Sequence, residues 1–177
     1  MNKAKIPKNR LRKLRTFTLG QKPYELQSLN PDKVKNNLID LCSNDYFGLS
    51  RDNDVIKASY EISLSEGLGS GSSRFITGSR PIHILLETQL AEWLNKEKVL
   101  LFPSGFQANI AAVKGLANRN SIVIADKFIH SSLLVGVKAA GSKLVRFAHN
   151  DLKDLENKIL KFNSTQKSIL IIVESLY

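Results

Sequence analysis

The chain has 177 residues, long enough for one domain with a substantial core. Its 42% hydrophobic and 24% charged residues fit a globular protein and exclude a disordered or fibrous one. No apolar run approaches the length of a membrane span, and the basic amino terminus lacks the apolar stretch of a signal peptide. Cys42 is the single cysteine, which excludes an internal disulfide framework and a cysteine zinc site; a reducing, cytoplasmic compartment is expected, with Cys42 a small core residue.

The net charge of +10 is concentrated at the start, where Lys3, Lys5, Lys8, Arg10, Arg12, Lys13 and Arg15 occur without an acid among them. No aromatic residues interleave these charges for base stacking and no nucleic-acid motif follows, so nucleic acid is not expected as a partner. The cluster reads either as a solvated helix face or as an attractor for an anionic substrate such as a CoA phosphate or an acidic carrier protein.

Arg10–Leu19 reads as a short basic helix, broken by Gly20 and Pro23. An extended piece over 24–29, a turn at Asn30-Pro31-Asp32 and a strand over 38–42 follow. The apolar spacing of Val55, Ile56, Ala58, Ile62 and Leu64 predicts a helix closed by Gly67. Residues 67–81, with four glycines among serines, form a loop of unusual backbone freedom. From there the pattern turns regular: helix 82–95, strand 98–103, helix 105–117, strand 121–125, helix 130–140, strand 143–147, helix 151–162 and strand 168–174. Alternating apolar strands and helices are βαβ units of a mostly parallel sheet, and Ser168–Val173 reads as its fully buried central strand. Because the pattern stops three residues after that strand, the chain is expected to be an incomplete portion of a larger domain.

The most informative stretch is Leu100-Leu101-Phe102-Pro103-Ser104-Gly105-Phe106. An apolar run breaks at a Pro-Ser-Gly turn and enters a helix, a junction that aims free N–H groups and a helix dipole at one spot. That is a phosphate site in favourable context and a plain helix cap otherwise; Gly105 would let an anion approach the backbone closely. Asp126, at the end of the next strand, either orients the turn that carries His130 or simply forms it. His149, with Asn150 and Asp151, is expected to cap helix 151–162, and His83 to pack at the start of helix 82–95.

Five motifs occur in order: Asn44-Asp45-Tyr46-Phe47-Gly48-Leu49, Gly69-Ser70-Gly71-Ser72-Ser73-Arg74, Ser104-Gly105-Phe106-Gln107-Ala108-Asn109, Asp126 with His130-Ser131-Ser132-Leu133, and Phe147-Ala148-His149-Asn150-Asp151. Together they resemble the α-oxoamine synthases, pyridoxal 5'-phosphate (PLP) enzymes that condense an amino acid with an acyl thioester. The resemblance runs from about Arg10 to Tyr177 and covers the first half of the family's pattern. It implies an α/β fold of the fold-type I PLP class, with 1–43 as an N-terminal arm and small-domain segment and 44–177 as the first part of the PLP-binding large domain.

By the same resemblance, Gly105 and Phe106 bind the cofactor phosphate, and His130 is the catalytic residue that stacks on the cofactor ring and contacts substrate. Arg15 binds an acyl carboxylate, with Arg12 as the alternative register, and Asn44 lies near the amino-acid substrate. The Schiff-base lysine and the ring-nitrogen acid fall beyond Tyr177, so the 177 residues alone are expected to be inactive; no metal is implied. The motifs are nearest to the members that serve biotin synthesis, in which L-alanine and a pimeloyl thioester, on CoA or a carrier protein, give 8-amino-7-oxononanoate in a homodimer. Phe75 after Arg74 disfavours the 5-aminolevulinate synthases. Arg74-Phe75-Ile76 leaves the 2-amino-3-ketobutyrate CoA ligases as one alternative, and a non-catalytic fragment or half of a split enzyme as another.

Overall fold

The computed structural model describes residues 11, 14–22, 24–29 and 37–177. These fall into two compact units, one running to Gly71 and one from Ser72 to Tyr177.

In the first unit, β1 (Phe17–Leu19), β2 (Glu25–Ser28) and β3 (Asn37–Ile39) form an antiparallel sheet in that order. Phe17 lies opposite Ser28, and Glu25 opposite Ile39. The expected helix over Arg10–Leu19 is therefore corrected at its carboxyl end. The i, i+3 spacing of Leu11 and Leu14 imitated a helical face, but Leu14 is fully exposed and pairing with β2 makes 17–19 extended. Arg10, Arg12 and Lys13 lie outside the described residues, as does the Asn30-Pro31-Asp32 turn. Cys42 is exposed rather than in a core, because the predicted strand over 38–42 ends at Ile39 and the chain turns there. Helix α1 (Asn53–Glu66) starts where the Asp52 carboxylate accepts the N–H groups of Asp54 and Val55. It ends at Gly67, whose φ of 79° suits a residue without Cβ.

The second unit is built of βαβ units. Its elements are α2 (Pro81–Trp93), α3 (Gly105–Leu116), β4 (Ile122–Asp126), α4 (Ser131–Ala140), β5 (Lys143–Phe147), α5 (Leu152–Asn163) and β6 (Ile169–Ile172). The sheet is parallel in the order β5-β4-β6, with Ile122 opposite both Lys143 and Ile169. The central strand is thus β4, buried at every residue, and not the 168–174 segment, whose β6 flanks it with only Ile172 buried. The apolar run over 98–103 forms no strand; its Leu101 N–H goes to a side chain instead of a ladder.

Side-chain alternation along β4 splits the core in two. Val123 and Ala125 face α3 and α4, meeting Val113, Leu133 and Val137, with Ile172 from β6. Ile122 and Ile124 face α5, meeting Phe147, Leu155, Ile159 and Phe162. Helices on both faces of a parallel sheet explain why β4 reads as an unbroken apolar run. Close contact of α3 with α4 depends on Gly136, where an added Cβ would sit 2.9 Å from the Val113 Cβ. Among the described residues no helix is long and apolar enough to cross a membrane.

Candidate active site

The site lies at the carboxyl ends of the parallel strands, where open α/β sheets place their ligands. Two helix starts meet there. At the first, the Ser104 hydroxyl accepts the Gln107 N–H at 3.2 Å and caps α3. The Gly105 and Phe106 N–H groups have no acceptor among the described residues, and a Cβ on Gly105 would meet nothing within 4 Å. Open space beside free donors at the positive end of a helix is what an anion requires.

At the second start, His130 is the N-cap of α4, its ring Nδ1 accepting the Ser132 N–H at 3.2 Å. Its ring stands edge-on to Phe106, centroids 6.5 Å apart and planes at 84°. The fold therefore brings Gly105, Phe106 and His130 together. Arg15 and Asn44 belong to the first unit, both exposed.

His149 does not cap α5: the Asp151 carboxylate does, accepting the Asp154 N–H at 2.9 Å. His149 instead places Nδ1 3.0 Å and 3.1 Å from the two carboxylate oxygens of Asp126. Its ring packs against Phe128 and Tyr177, at centroid distances of 4.8 Å and 4.6 Å. Asp126 is 1% exposed and also accepts the N–H groups of Phe128 at 2.8 Å and Asn150 at 3.1 Å. Burial opposes its ionisation, but the donors outweigh burial and hold the carboxyl below its ordinary value. Asp126 thus ties the turn leading to His130 to the turn after β5, where Asn150 takes a φ of 56°, a left-handed conformation asparagine tolerates.

Further contacts were not predicted from sequence. Glu174 accepts the His130 N–H at 2.5 Å, and the Glu174 N–H goes to the Tyr177 hydroxyl at 3.1 Å. Asn109 and Ser132 each stood in a motif without a role assigned to them. His83 sits in the first turn of α2, as expected, its Nδ1 accepting the Arg80 N–H at 2.9 Å.

The approach to Ser104 is anchored by Glu87. Its carboxylate takes a bidentate pair from Arg74 at 2.6 Å and 3.0 Å and accepts the Leu101 N–H at 2.9 Å. The Arg74 guanidinium, then the Leu101 N–H, hold its pKa down from 4.5 to about 2. A lowered carboxylate pKa stabilises the fold above 4.5, and that contribution is lost as pH falls toward 2. Glu87→Gln is expected to flatten the fall in the urea midpoint between pH 4.5 and 2. Some slope stays, because Asp45, Asp126 and Asp154 are also lowered. Equal slopes in both proteins would refute a charged Glu87 anchor.

A parallel sheet with helices on both faces, an anion-ready helix start and an aromatic pair beside it define a fold-type I PLP-binding unit. Residues 36–177 match the aminotransferase class I and II family, and the chain belongs to that family. Within the family the chain groups with the α-oxoamine synthases. It is 35% identical over 145 residues to a putative 8-amino-7-oxononanoate synthase of Pasteurella multocida, a match covering 80% of this chain and 37% of that protein. Among solved structures, a serine palmitoyltransferase variant with PLP superposes with a TM-score of 0.83 at 26% identity, over 93% of this chain and 40% of the other. The 8-amino-7-oxononanoate synthase of Francisella tularensis superposes with a TM-score of 0.57 at 26% identity, over 72% and 35%. The chain spans somewhat over a third of the length of the curated relatives it matches.

Proposed function

We propose that the protein carrying these residues is a PLP-dependent C-acyltransferase of biotin synthesis, an 8-amino-7-oxononanoate synthase. It joins L-alanine to a pimeloyl thioester, on CoA or a carrier protein, with loss of carbon dioxide, and works as a cytoplasmic homodimer. The observation that carries the reading is the meeting of the free Gly105 and Phe106 N–H groups with His130 at one end of the sheet. These residues fit the cofactor: two N–H donors with open space for its phosphate, and a flat imidazole for its ring face. When bound, PLP supplies an electron sink for the carbon that is acylated. The chain's own groups bind and orient. Gly105 and Phe106 hold the phosphate, and His130 restrains the ring and donates a hydrogen bond to substrate. Asn44 contacts the amino acid, and the Arg15 guanidinium pairs with the distal carboxylate of the acyl chain.

The test is a substrate panel. Purified full-length protein with PLP is offered L-alanine, glycine or L-serine against pimeloyl-, acetyl- and palmitoyl-CoA, and free thiol is measured. Thiol release greatest with L-alanine and pimeloyl-CoA is expected. Preference for another pair, or a protein that takes up no PLP, would overturn the reading.

A further inference from the structure

The hydrogen bonds around His130 decide which ring nitrogen carries the proton. The Ser132 N–H points at Nδ1, and a backbone N–H can only donate, so Nδ1 is an acceptor. The Ser132 hydroxyl, 2.6 Å from the same nitrogen, must then aim its hydrogen there too. Asn109 favours that orientation, because its Nδ2 donates to the Ser132 oxygen at 2.9 Å and leaves the hydroxyl free to donate onward. Ser132 is 0% exposed, so bulk water does not compete for these bonds. The ring hydrogen consequently resides on Nε2, which has no hydrogen-bond partner among the described residues.

We propose that Ser132, with Asn109 behind it, is a positioning residue for His130, holding Nδ1 as acceptor and presenting Nε2–H as the ring's donor to an anionic group of the ligand bound beside Phe106. The proposal rests on the functional reading above. It gives α3 two tasks: its first turn offers the phosphate donors, and Asn109 on the following turn sets the hydroxyl that orients the histidine. Without the relay only the Ser132 N–H, at 3.2 Å, would hold Nδ1 as acceptor, so the preference between the two tautomers would weaken, and only one of them can donate from Nε2.

Nitrogen-15 NMR of the imidazole nitrogens in the full-length protein tests it, first without and then with PLP. Native His130 is expected in one form, hydrogen on Nε2, in both states. Ser132→Ala is expected to give a tautomer mixture and to raise the PLP dissociation constant about tenfold. Asn109→Asp keeps size and shape but draws the hydroxyl hydrogen to its own carboxylate. It should move His130 toward the Nδ1–H form while far-UV circular dichroism and Tm stay native. The proposal is overturned by a native His130 that carries its hydrogen on Nδ1, by tautomers unchanged in both variants, or by changed tautomers with unchanged PLP affinity. A native protein that takes up no PLP refutes the functional reading, and the cofactor-free spectra still decide whether Ser132 sets the ring.

Discussion

His130→Asn is expected to leave Tm nearly unchanged and to raise the PLP dissociation constant of the full-length protein about ten- to a hundredfold. Two roles meet in this side chain. As N-cap, Nδ1 holds the first turn of α4, and asparagine is among the best replacements for that purpose. As a ring at the edge of Phe106 it would stack on the cofactor and donate one hydrogen bond. Their loss is worth roughly 1.5–3 kcal/mol. His130→Ala should lose both roles, adding about 1 kcal/mol of instability from the missing cap. His149→Ala is the contrast: it strips a donor from buried Asp126 and should lower Tm while sparing the cofactor absorbance. Absorbance titration with PLP, alongside thermal melts, separates these outcomes. A His149 variant that loses the cofactor while the His130 variants keep it would move the site to the other histidine.

Ile124→Ala should cost about 3–4 kcal/mol, a large share of the 5–15 kcal/mol that holds a domain together. Ile124 is 0% exposed at the centre of β4, between two paired strands and against α5, so few neighbours can collapse into the space left behind. Ile171 occupies the matching register on β6 but is 44% exposed. In the 177-residue polypeptide, Ile171→Ala should therefore cost under about 1 kcal/mol. Urea unfolding of the two variants measures the difference directly. Equal losses would mean that the core is not centred on β4.

The second unit was legible from Gly105 onward, because its elements carry their own punctuation. Ser104 and Asp151 cap α3 and α5 with their side chains, Gly141 closes α4 at a φ of 69°, and β4 is apolar from Ile122 to Ala125. Misreadings arose where the deciding partner lies far along the chain. The 98–103 run has strand composition, yet a strand needs a ladder, and Leu101 bonds to Glu87 instead. Phe17–Leu19 followed a helical spacing until pairing with β2 overrode it. His149, next to Asn150 and Asp151, looks like part of a cap; its true partner, Asp126, is 23 residues back on a neighbouring strand. The roles of Ser132 and Asn109 were invisible for the same reason, since their hydrogen bond joins two helices. Local signals specify caps, turns and periodicity, and residues that support a site from another element leave almost no trace in them.

The strand order also constrains how the protein is made. Both neighbours of β4 follow it in the chain, and the β6 side is joined only when Ser168, 47 residues after Ser121, has been synthesised. At about 5–20 residues per second, that leaves the Ile122–Ala125 segment incompletely paired for roughly 2–9 s of translation. Short, apolar, largely β-branched and uncharged, it is prone to stick to another nascent chain in that interval. A ribosome-associated holding chaperone would find an apolar client site there, in the stretch that afterwards becomes the least accessible of the described strands.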